Sequence, residues 1–167
     1  VTASSVFVPP QGARPPTAET TLVTAIDLDG PRIVESLAIV GPVDTIYASP
    51  ANLYVASSRW SFYDSRGMLL PSEPSYYLSD LHQVRLGTDG MAIVGSASIE
   101  GYLSQQPDLA PFRMSEHAGR LRVVTSSGTM WGANSRNRLT ILEPSGISPG
   151  LLKTVSWLPN DRRPEPL

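Results

Sequence analysis

The chain has 167 residues, 41% of them hydrophobic and only 17% charged, with 16 prolines, 13 glycines and no cysteine. That length supports one domain with a sizeable core, and the turn-rich balance favours an all-β chain over a helical one. A net charge of −2, with no basic run beyond Arg162 and Arg163, argues against nucleic acid or an anionic membrane as partner. Lack of cysteine removes disulfides, thiolate metal sites and cysteine nucleophiles, and apolar runs such as Leu37 to Val40 fall far short of the roughly 20 residues of a spanning helix.

In chain order, a short strand is expected from Ala3 to Val8, followed by a loop or tether with Pro9, Pro10, Pro15 and Pro16, so that residues 1–19 form a lead segment. The chain begins at Val1 with neither methionine nor a signal-like segment, which suggests a processed or excised portion of something longer. From Thr20 come short apolar runs, each closed by turn residues: TTLVTAIDL, RIVESLAIV, VDTIYAS and LYVASSRW. Asp29-Gly30 and Gly41-Pro42 supply the chain reversals between them.

Residues 61–78 carry two prolines and do not alternate cleanly, so they read as a long excursion. The meander resumes with DLHQVRL, the turn GTDG and MAIVGSASI. A second irregular stretch runs from Glu100 to about Pro111. FRMSE, the turn HAGR, LRVVTSS, a loop GTMWGANS, NRLTILE and LLKTVSWLP then complete about ten strands, and residues 159–167 form a tail or the start of a further unit.

These segments repeat. VDTIYASPANLYVASS aligns with FRMSEHAGRLRVVTSS, each a short strand, a turn and then Leu-x-Val-x-(Ser or Thr)-Ser. Two further strands follow each copy, and TLVTAIDL with RIVESLAIV fits the last two positions of an earlier one. Leu53 and Leu121 lie 68 positions apart; without the two loops a unit is about forty residues, the period of a four-stranded propeller blade.

On Gly101, Tyr102 and Leu103, then Phe112, Met114, Ser115, Glu116, Gly119, Leu121, Arg122, Val123 and Thr125, with a weaker block at Asn52 to Ala56 and the strand end Ile26 to Leu28, the chain resembles the bacterial β-propeller domain proteins. The similarity covers about Thr20 to Trp157. It implies part of a β-propeller over residues 20–158, about two and a half four-stranded antiparallel blades. It further implies an exported protein of the periplasm, cell surface or medium, attached to the envelope, with no established activity and no cofactor.

Ser115, Glu116 and His117 are the residue types of a hydrolase triad, but neighbours on a strand point to opposite faces, which parts Glu116 from the other two. A structural reading therefore suits Glu116, Gly119 and Arg122: the glycine reverses the chain, and the carboxylate caps backbone N–H groups or pairs with Arg122. His82, on a face with Val84 and Leu86, reads as a hydrogen-bonded layer residue. Two histidines without cysteine make no zinc set, and Asp27-x-Asp29-Gly30 lacks the later ligands of a calcium loop.

Binding residues are sought among the aromatic excursions: Arg59, Trp60, Tyr63, Tyr76, Tyr77 and Trp131, types enriched at binding hot spots and carried by loops. The same rings also suit a packing role between blades. The expected function is a non-enzymatic binding or scaffold module with a protein or carbohydrate ligand, completed by the remaining blades of the same protein or by self-association through blade edges. Alternatives are a propeller polysaccharide hydrolase or lyase using carboxylates around the channel, and a β-sandwich binding module in which the Leu53 and Leu121 strands pack across one core.

Overall fold

The computed structural model describes residues 6–8, 19–61, 76–104, 106–128, 135–146 and 150–160; for Trp60, Ser61, Tyr76 and residues 157–160 it describes the backbone. Eleven strands account for most of them: β1 (Val6–Phe7), β2 (Thr20–Asp27), β3 (Arg32–Val40), β4 (Thr45–Ala48), β5 (Asn52–Ser61), β6 (Tyr76–Gly87), β7 (Gly90–Glu100), β8 (Met114–His117), β9 (Arg120–Ser127), β10 (Arg136–Pro144) and β11 (Gly150–Asn160). The one helical element described is a 3-10 turn over Pro107–Arg113. The chain is all-β.

Two differences from the sequence reading have local causes. β6 begins at Tyr76, not after Leu78, because Tyr76–Leu78 pair with Arg59–Ser61 across the excursion, a partnership that periodicity does not reveal. Phe112 and Arg113 belong to the 3-10 turn, and β8 starts at Met114. The Pro-rich stretch 9–18, most of the excursion and residues 161–167 lie outside the described residues.

β4–β7 and β8–β11 are two antiparallel four-stranded meanders, in agreement with the repeat. They join into one nearly closed eight-stranded sheet through a short parallel contact of β7 with β11, Gly95 opposite Gly150 and Ser96 opposite Leu151. Gly95 permits that approach: a Cβ there would stand 2.7 Å from the Leu151 carbonyl carbon. β2 and β3 form a hairpin, extended by the parallel strand β1, and supply the last two strands of an earlier copy.

Period-two alternation sends each strand's side chains to two faces. From β5, Tyr54 and Ala56 join Leu81, Met114, Leu121, Val123, Leu142 and Leu152 in a core between the two meanders. Val55, with Leu53 packed beside it, joins Val84, Leu37 and Ile39 in a second core beneath the β1–β3 sheet. Leu53 and Leu121 thus belong to different cores, although their strands share one. The β4–β7 sheet is covered on both faces.

The β8–β9 turn needs two left-handed residues, Ala118 at φ 51° and Gly119 at φ 73°, the conformation of a tight two-residue hairpin. Another glycine, Gly101 at φ 98°, brings the end of β7 against β9, where Tyr102 and Ser126 exchange two backbone hydrogen bonds of 2.8 Å. A Cβ on Gly101 would meet the Ser126 carbonyl at 2.7 Å.

Candidate functional site

The far end of the β5–β6 ladder gathers four of the six residues singled out for binding. Trp60 lies opposite Tyr77 and Ser61 opposite Tyr76, so two aromatic residues of β6 and one of β5 occupy consecutive rungs. Tyr77 packs edge-on against Tyr102, with ring centroids 4.9 Å apart at 70°. Burial, followed by the nearby Tyr102 phenol, raises the Tyr77 pKa. Tyr63 and Trp131 lie outside the described residues.

Arg59 anchors this end. Its Nε donates to Asp80 Oδ2 at 2.6 Å, and Asp80 Oδ1 accepts from Ser98 Oγ at 2.7 Å. The Asp80 side chain is fully buried and that of Arg59 is one-fifth exposed. A charge buried so deeply persists only where a counter-ion and hydrogen bonds replace water. Two rungs away, His82 Nδ1 shares a 2.7 Å hydrogen bond with Ser96 Oγ, and Phe7 meets the ring edge-on. Burial, opposed only in part by Asp80, lowers the His82 pKa to about 4, so the imidazole is neutral near pH 7. It is a layer residue.

A second polar cluster closes the other side of the fold. Glu116 Oε2 accepts from Ser49 Oγ at 2.6 Å, Asn52 Nδ2 at 3.0 Å and Tyr54 Oη at 3.0 Å, all on the β4–β5 hairpin. The Glu116 backbone N–H donates to Tyr47 Oη at 2.9 Å, and the Tyr47 and Tyr54 rings stack at 5.8 Å. Asn52 Oδ1 in turn accepts from Gln83 Nε2 at 2.9 Å, which extends the network to β6. Burial pushes the Glu116 carboxyl up, but the three donated hydrogen bonds outweigh it and hold the group below the usual carboxylate range.

The carboxylate therefore reaches across to the other meander. Arg122 stands opposite Ser115, and Glu116 stands opposite Leu121, so Glu116 and Arg122 occupy different rungs and faces. Ser115 and His117 are exposed on the face away from Glu116, and no triad forms. The partners at Tyr47, Ser49, Asn52 and Tyr54 were not foreseen as a set; their one visible signal is a run of polar tips at alternate positions on either side of a turn.

Several other described carboxylates are tied to local partners. Asp27 takes the Asp29 N–H at 3.1 Å and Arg32 Nε at 3.3 Å, the closure of a turn. Glu143 sits between Arg120 and Lys153, and Glu100 pairs with Arg138. Glu35 and Asp89 both line a groove of 740 Å³ between the β2–β3 hairpin and the β6–β7 turn, and there Glu35 Oε2 accepts the Met91 N–H at 2.6 Å. Among the described residues no group of three or more histidines and carboxylates converges as a metal set would.

A family model described as the Beta propeller domain matches residues 1–163. No curated protein and no solved structure matches the chain.

Proposed function

Because this chain belongs to the β-propeller domain family, we propose that it serves as a non-enzymatic binding module of an exported bacterial protein, taking a protein or carbohydrate ligand at the aromatic end of the β5–β6 ladder. The observation that carries this reading is the register that sets Trp60 opposite Tyr77 beside an arginine fixed by a buried aspartate. Aromatic residues offer contact area at low entropic cost, which suits both sugar faces and protein hot spots.

The test is titration of purified protein with soluble envelope polysaccharides and peptidoglycan fragments, followed by tryptophan fluorescence. Saturable quenching that weakens at least several-fold in Trp60→Phe and Tyr77→Ala supports the reading; unchanged affinity in both variants overturns it. Fractionation of cells carrying the tagged parent gene tests export, and a cytoplasmic pool alone rejects it.

A hydrolase reading keeps one specific support, the shared groove of Glu35 and Asp89. Turnover of a polysaccharide that disappears in Glu35→Gln or Asp89→Asn would replace the binding module with that enzyme.

A further inference from the structure

The groove of 740 Å³ between the β2–β3 hairpin and the β6–β7 turn has the size of a small-molecule pocket. Its walls are apolar: Val23 and Val34 come from the hairpin, and Leu53, Leu86 and Met91 from β5, β6 and β7. Set among them are two carboxylates, Glu35 and Asp89, and the hydroxyl of Thr88. Glu35 is fixed in place, because its Oε2 accepts the Met91 N–H at 2.6 Å and a Cβ on Gly90 would stand only 2.6 Å from the same oxygen. Its carboxylate therefore lies against the residue that follows Asp89.

No lysine, arginine or histidine lines the groove. Arg85 stands opposite Asn52 and Ala92, on the face of the sheet away from Leu53, Leu86 and Met91, and Arg32 is paired with Asp27. Among the described residues Asp89, Glu35 Oε1 and the Thr88 hydroxyl have no partner. Two like charges beside apolar walls, with no counter-ion, concentrate a negative potential in the cleft. We infer that the groove binds a small alkylammonium ion, which donates to Glu35 Oε1, Asp89 and Thr88 while its aliphatic stem lies along Leu53, Leu86 and Met91. A primary ammonium carries three donors on one compact centre, which suits three acceptors on separate side chains; a guanidinium fork suits one bidentate carboxylate. The groove lies at the opposite end of the β5–β6 ladder from Trp60 and Tyr77 and shares no residue with those rungs.

The test titrates the purified 167-residue protein with hexylammonium chloride, and in parallel with hexanol and sodium hexanoate, and follows backbone amide resonances. Saturable shifts are expected at Thr88–Met91, with hexanol and hexanoate weaker by about tenfold or more. Affinity for hexylammonium should fall by about fivefold or more in Glu35→Gln and again in Asp89→Asn. Both variants keep the fold, since Gln still accepts the Met91 N–H and Asn suits a tight turn. The inference is overturned by absence of saturable shifts at Thr88–Met91, by shifts confined to the Trp60 and Tyr77 rungs, by equal binding of hexanol, or by unchanged affinity in either variant. Tighter binding of Nα-acetyl-lysine amide than of hexylammonium also overturns it, because the occupant is then a lysine side chain of a partner protein.

Discussion

The Tyr54 hydroxyl donates to the Glu116 carboxylate at 3.0 Å, joining a strand of one four-stranded meander to a strand of the other. Three donors converge on that one carboxylate oxygen. Replacing Glu116 by Ala strands the donors of Ser49, Asn52 and Tyr54. Since hydrogen bonds to charged groups contribute about 1.5–3 kcal/mol, discounted here because the carboxylate is partly exposed, we expect a loss of about 1–2 kcal/mol in denaturant unfolding. Glu116→Gln, which keeps one acceptor oxygen, should lose less. Equal stability of all three proteins would refute the closure.

Glu116 also predicts acid sensitivity. Its folded-state pKa lies below the unfolded value, so its stabilisation is present above the ordinary carboxylate range and is lost as pH falls through the folded pKa. Thermal melts of Glu116→Gln should therefore decline less steeply than wild type below about pH 4.5.

His82 acts in a different window. Its folded pKa of about 4 lies below the ordinary imidazole value of 6.5, so the unfolded chain binds more protons between those values and stability rises with pH across that interval. The contribution is complete above pH 6.5 and is lost progressively toward pH 4, on the order of 2–4 kcal/mol from one unit being about 1.4 kcal/mol. His82→Gln, which retains a partner for Ser96, should flatten the stability profile between pH 6.5 and 4; an unchanged slope would refute the assignment.

Asp80→Ala leaves the Arg59 guanidinium without its buried counter-ion. Breaking a buried pair in this way costs about 3–5 kcal/mol, and the midpoint of unfolding should move accordingly. A change below about 1 kcal/mol would mean that water replaces the carboxylate and that the pair is exposed in solution.

Two glycines separate steric from conformational cost. Gly95→Ala drives a methyl group into the Leu151 backbone and should part β7 from β11, costing about 1–3 kcal/mol and speeding amide exchange at Gly150 and Leu151. Gly119→Ala meets nothing within 4 Å and pays only for its positive φ, about 1 kcal/mol, with exchange at the β7–β11 contact unchanged.

Strand positions were legible wherever burial on one or two faces imposed a pattern: β3, β7 and the LRVVTSS strand fall where alternation and turn residues place them. The two-and-a-half-fold repeat was legible because both meanders reuse Leu-x-Val-x-(Ser or Thr)-Ser. Contacts between meanders were not. Glu116 looked like a local turn residue, and nothing near it in sequence announces donors that arrive from β4 and β5. Arg59 was picked out as a binding residue by its aromatic neighbours, whereas its partner Asp80, the first residue of the DLHQVRL run, carried no comparable signal. The start of β6 was hidden because its partners precede a long excursion.

The donors to Glu116 lie 62, 64 and 67 positions earlier in the chain. Closing so long a loop costs entropy before any contact repays it, whereas the β4–β5, β6–β7 and β8–β9 hairpins close over a few residues. The bond between meanders therefore forms late, after the β4–β5 hairpin that presents its donors already exists. An interaction absent from the folding transition state governs the rate of unfolding and leaves the rate of folding nearly unchanged. The Glu116 contact thus sets how long the folded protein lasts more than how quickly it is made.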